Sequence, residues 1–65
     1  MNAIVKTLTC QKYTDSEGFE KITPWFRDTV DLVDHLAERG GTITGTFVRE
    51  DGNMYEMVAG ERMKI

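Results

Sequence analysis

One stretch, Asp28 to Gly41, limits the folds open to this chain more than any other feature, because it alone carries a full set of helix signals. Asp28 is a good N-cap, its carboxylate able to accept backbone N–H bonds of the first turn. Asp31 adds negative charge near the positive end of the helix dipole. Projected at about 100° per residue, Leu32, Leu36, Val33, Ala37 and Val30 share one broad face. Asp31, Asp34 and Glu38 fall on the opposite face, with Asp28 and His35 at its margin. Gly40-Gly41 follows Arg39 and supplies a residue free to take the left-handed conformation that stops a helix. The spacing predicts a helix over 29–39. A single helix between strand-like stretches points to an α+β domain.

The flanks read as strands. Ala3 to Tyr13 is rich in β-branched residues. Its even positions (Ile4, Lys6, Leu8, Cys10) form the better core candidate. Thr14 to Gly18 is a cluster of turn formers, after which Phe19–Thr23 can return as a short second strand. Pro24 breaks any ladder and is followed by the bulky pair Trp25 and Phe26.

Beyond the helix, Thr42–Arg49 and Asn53–Ala59 form a hairpin around Glu50-Asp51-Gly52. A two-residue turn at Asp51-Gly52 pairs Arg49 with Met54. A three-residue loop instead pairs Phe47 with Tyr55 and puts Ile43, Phe47, Tyr55, Met57 and Ala59 on one face. A register slip moves such a set into water, so the three-residue loop is expected. Gly60 to Ile65 extends the last strand or makes a short fifth one. The expected fold is one α+β domain, 1–65, an antiparallel sheet of three to four strands ordered β-β-α-β-β with the helix packed on one face. The expected core is Ile4, Leu8, Ile22, Val30, Leu32, Val33, Leu36, Ile43, Phe47, Tyr55 and Met57.

At 65 residues such a domain buries roughly 60% of its unfolded surface, so its stability is small. Cys10 is the sole cysteine and His35 the sole histidine, which excludes an intrachain disulfide and the four Cys or His ligands of a structural zinc site. No metal or cofactor is expected. Cys10 and His35 lack the third, orienting group that nucleophilic catalysis needs, and neither Asp15-x-Glu17 nor Glu50-Asp51-Gly52 has the spaced oxygens of a calcium loop. Gly40-Gly41-x-x-x-Gly45 lacks the Lys-Ser/Thr of a phosphate loop. No enzyme is expected. The longest fully apolar runs are two or three residues, which fits neither a signal peptide nor a membrane span, and the unpaired thiol fits a reducing cytoplasm.

The net charge of −3 resides in the helix: Asp28, Asp31, Asp34 and Glu38 face one base there, Arg39, while the other acids and bases cancel. An acidic chain is a poor general ligand for phosphates, so direct nucleic-acid binding is not expected. Tyr13, Phe47 and Tyr55 beside Lys12 and Arg49 offer a weaker alternative, a sheet that stacks single-stranded bases. Acids spaced three or four residues apart on a helix lie about 4.5–6 Å apart along its axis, comparable to phosphate spacing along a strand. Asp31, Asp34 and Glu38, with Trp25 as an apolar anchor, are therefore the candidate partner-binding residues, suited to a basic groove on a protein or ribonucleoprotein complex. A homodimer formed through a sheet edge or the tail Met63–Ile65 is the alternative.

In size, acidity and element order the chain resembles the small phage- and mobile-element-encoded inhibitors of bacterial defence, anti-CRISPR proteins among them. The resemblance implies a compact non-catalytic α+β inhibitor that covers or imitates nucleic acid on a host complex. It carries no motif and assigns no residue.

Overall fold

The computed structural model describes residues 7–65. Ile4 and Lys6, expected on the inner face of the first strand, lie outside the described residues. The elements are β1 (Thr7–Thr14), β2 (Glu20–Ile22), α1 (Thr29–Arg39), β3 (Thr42–Glu50), β4 (Asn53–Val58) and β5 (Glu61–Lys64). The strands form one antiparallel sheet in the order β2-β1-β3-β4-β5. The domain is thus α+β with five strands, not three to four.

The fifth strand exists because Ala59 and Gly60 both take positive φ, 51° and 83°, and reverse the chain in two residues. That geometry matches the right-handed twist of the strands it joins and favours Asn-Gly. Alanine in the left-handed region costs roughly 1–2 kcal/mol. Ala59→Asn is expected to stabilise the domain by about 1 kcal/mol, read as a higher urea midpoint. An unchanged or lower midpoint would show that the turn is not strained.

The β3–β4 hairpin corrects the expected register. Arg49 pairs with Met54 and Phe47 with Glu56, so the turn is the two-residue one. Asp51 and Gly52 have φ of 50° and 80°, the consecutive positive values that Asp and Gly tolerate. Phe47 and Tyr55 consequently lie on opposite faces. The turn chemistry outweighs the hydrophobic pattern.

Pairing fixes what each face carries. Cys10 opposes Phe47 and Leu8 opposes Arg49, while Thr9 opposes Val48 and Gln11 opposes Thr46. Between Lys12 and Tyr13 the register shifts: Lys12 faces Gly45 and Tyr13 faces Ile43, leaving Thr44 as the extra residue of a β-bulge. Thr9, Gln11 and Tyr13 line a groove with Leu32, Val33 and Leu36 of α1. The odd positions of β1 therefore face the helix. Leu8 and Cys10, expected beneath it, are on the far side of the sheet.

The helix matches its expected bounds. The Asp28 carboxylate accepts from the Val30 N–H at 2.8 Å, and the Gly40 N–H donates to the Leu36 carbonyl at 2.9 Å. Among the described strands only β1 has its backbone close to α1. The apolar residues buried in the structure are Cys10, Tyr13, Leu32 and Val48, joined by Thr23. Val30, Val33 and Ile43, expected in the core, are more than half exposed, because the helix stands over one strand and leaves its flanks open. Ile22, also expected there, pairs with Lys12 on the face away from the helix, in the short edge strand, and is 62% exposed.

Candidate interaction surfaces

The acidic face of α1 is built by the helix itself. Leu32 is 3% exposed, and the groove-lining residues Thr29, Val33, Leu36 and Ala37 centre on the same side. Asp31, Asp34 and Glu38, roughly half a turn away, are all exposed. Arg39 reaches back to Glu38 at 3.5 Å and donates to the His35 carbonyl at 3.1 Å. Among the described residues neither Asp31 nor Asp34 takes part in an ion pair. Those two carboxylates carry the free negative charge of the face, and Glu38 is partly offset.

Trp25 lies in the segment between β2 and α1 and is half-buried. The Thr23 N–H donates to the Gln11 carbonyl at 2.9 Å, and Phe26 and Thr9 exchange two backbone bonds of 2.8 Å. Pro24 and Trp25 therefore oppose the single residue Cys10, and the edge strand bulges there. Thr23 clamps the segment: its hydroxyl accepts from the Gln11 N–H at 2.9 Å and donates to the Pro24 carbonyl at 3.0 Å. Proline is accommodated because an edge position asks nothing of its missing N–H. The structure brings Asp31, Asp34 and Glu38 into one row and leaves Trp25 outside it.

Cys10 and His35 are held apart by the sheet. The Cys10 side chain is on the face opposite α1, buried, and burial pushes its thiol up from the ordinary value. His35 packs against Phe26, ring centroids 5.3 Å apart. The base-stacking alternative also loses its platform, since Tyr13 is 3% exposed and faces the helix. Among the described residues no group of three or more His, Cys, Asp or Glu side chains converges as a metal site would require. No described helix is long and apolar enough to cross a membrane.

Asp15, whose pKa is lowered, has a structural job. Asp15 follows β1, and its Oδ1 accepts from the Phe19 and Glu17 N–H groups, both at 2.9 Å, while Oδ2 meets Lys21 Nζ at 3.0 Å. The Phe19 N–H first, then Lys21, hold its pKa below the usual carboxylate value, and Asp15 in turn raises that of Lys21. This arrangement shapes the β1–β2 turn.

The surface that sequence patterning missed is the helix-free face of the sheet. Leu8, Cys10, Phe47, Met54, Val58 and Met63 are on it, with Lys12, Arg49, Glu56 and Glu61 interspersed. Met54, Val58 and Met63 are each between 43% and 52% exposed. The signal that finds this face is the pair of two-residue turns, Asp51-Gly52 and Ala59-Gly60, which set the parity of β3, β4 and β5.

Comparison with family models, curated proteins and solved structures finds no match. The functional reading rests on these surfaces.

Proposed function

We propose that the protein is a non-catalytic interaction module that occupies a basic, nucleic-acid-binding surface of a host complex in the cytoplasm and inhibits it. The observation that carries this reading is the pair Asp31 and Asp34, exposed on the outer face of α1 without an ion pair among the described residues. Leu32 is the buried residue of the helix, and these acids are exposed on its other side. Complementary charge accelerates encounter and fixes register; Trp25, which stands outside the acidic row, is not part of this contact.

The test is capture of partners from bacterial lysate with the tagged chain and with the double variant Asp31→Lys, Asp34→Lys, both checked for folding by circular dichroism. A basic, nucleic-acid-handling partner retained by the parent and lost with the variant is expected. A partner held equally by both would refute the role of the acidic face.

A further inference from the structure

We propose that the uncovered half of the helix-bearing sheet face takes the α1 of a second copy of this chain, in a dimer whose two-fold axis runs along the strands above β3. The dimer uses carboxylates of the acidic face but does not rest on their contact with a host complex.

The sheet is wide enough for two helices and carries one. Strands lie about 4.8 Å apart and a helix with its side chains is about 10 Å across, so one helix covers about two strands. α1 runs beside β1: Phe26, shortly before it, is bridged to Thr9, and Gly41, just after it, lies against the Thr14 carbonyl. His35 packs on Phe26 toward the β2 side, while Val33 and Ala37 border the groove over β3. The same sheet face continues across β3, β4 and β5 with Val48, Tyr55, Met57, Arg62 and Lys64. α1 does not reach β4 or β5.

The strand order selects a second copy as the occupant. β3 is the central strand of β2-β1-β3-β4-β5, so rotation about an axis above it exchanges β1 with β4 and β2 with β5. α1 thereby moves from above its own β1 to above the second copy's β4, two strands or about 9.6 Å from that copy's helix. Packed helices stand 8–10 Å apart. The two helices fill one layer between two sheets.

The chemistry fits at each contact. Where the helices meet, Val33 and Ala37 face their counterparts, and Val33 is more than half exposed in the single chain. On the side away from Leu32, Val30 falls over the second copy's Tyr55 and Met57. The acids lean to the His35 side of α1, where the rotation places the second copy's β5 with Arg62 and Lys64. Heights along the strands agree as well. Lys64 is level with Thr9 through Tyr55 and Val48, and Arg62 is two residues further toward the Thr14 end. Asp31 and Asp34 belong to the half of α1 nearer Thr9. Arg62 already lies 3.3 Å from Glu50 and over the Tyr55 ring at 5.5 Å, whereas Lys64 has no ion pair among the described residues and supplies the free charge. Every contact occurs twice, as an isologous interface requires. In the dimer the acids are covered, so a second copy and a host complex compete for them.

Sedimentation equilibrium of the full chain from low micromolar to near-millimolar concentration tests the dimer, with circular dichroism confirming that each variant folds. The parent is expected to dimerise. Lys64→Glu and Asp31→Lys each set like charges opposite at two places and are expected to weaken the dimer by at least about tenfold. The double variant, with the charges exchanged, is expected to restore it. Val33→Asp, at an exposed position, is expected to keep the monomer folded and to abolish the dimer. A parent that stays monomeric throughout, a single variant that dimerises like the parent, or an exchange variant no stronger than the charge singles would each overturn the proposal. Because Lys64→Glu retains every carboxylate of α1, its capture of a host partner reports on the acidic-face reading alone.

Discussion

Gly41→Ala is expected to cost this domain more than about 3 kcal/mol, enough to leave much of a chain this small unfolded. Two effects coincide at that position. Gly41 has φ of +104°, a conformation that side chains rarely adopt. A Cβ there would also fall on the Thr14 carbonyl oxygen, with the Thr14 carbonyl carbon at 2.8 Å and Asp15 Cα at 2.9 Å. The obstructing atoms are backbone, so no side chain can swing aside. Gly41 is where the chain leaves α1 and crosses the end of β1, and displacing that crossing moves the helix off the strand it covers. Gly18→Ala is the matched control: its φ of +89° is equally unusual, but the space around it is open. That substitution is expected to cost only about 1–2 kcal/mol. Urea unfolding followed by Trp25 fluorescence and circular dichroism measures both. Equal losses would mean that backbone conformation alone, and not the close approach, makes Gly41 necessary.

The helix was legible in the sequence because its signals are local. A cap at Asp28, an apolar stripe and a stop at Gly40 need no knowledge of the rest of the chain, and the structure contains each of them. The strands were legible as segments, yet their faces were not. Choosing the three-residue loop assumed that one face of the hairpin is buried and collects the apolar residues. Instead apolar residues are divided between the faces: Phe47 and Met54 on one, Val48 and Tyr55 on the other. With neither face fully covered, pattern has little hold on register, and two consecutive positive-φ residues decide it. The same division explains β1. Tyr13 shares its parity with Thr9 and Gln11, so that face looked polar, although its ring is among the most buried groups in the molecule. The acidic row on α1 was visible for the same local reason as the helix. The helix-free face required the turn geometry first, since the register of β3, β4 and β5 decides which residues share it.

Leu32→Ala is expected to release α1 while leaving the sheet in place. Leu32 is the only buried residue of the helix, and the backbone of α1 approaches only β1 among the described strands. Truncating a buried leucine to alanine typically costs 2–5 kcal/mol, part of it from the cavity left behind. Here the site opens onto a groove of about 600 Å³, so the void is not sealed and the cavity contribution is small. A loss of about 2–3 kcal/mol is expected. It falls on one element, because an isolated helix of 11 residues is not stable in water and has no second strand to hold it. Circular dichroism should therefore lose its helical signal at denaturant concentrations where hydrogen exchange still protects the β1–β3 ladder, a local unfolding with its own free energy. If helix and ladder are lost together, α1 is part of the cooperative core and its narrow contact with β1 understates its attachment. If neither changes, Leu32 does not anchor the helix. The first outcome bears on function as well, since Asp31 and Asp34 form a row only while α1 is folded. Leu32→Ala would then weaken partner capture without altering a single charge.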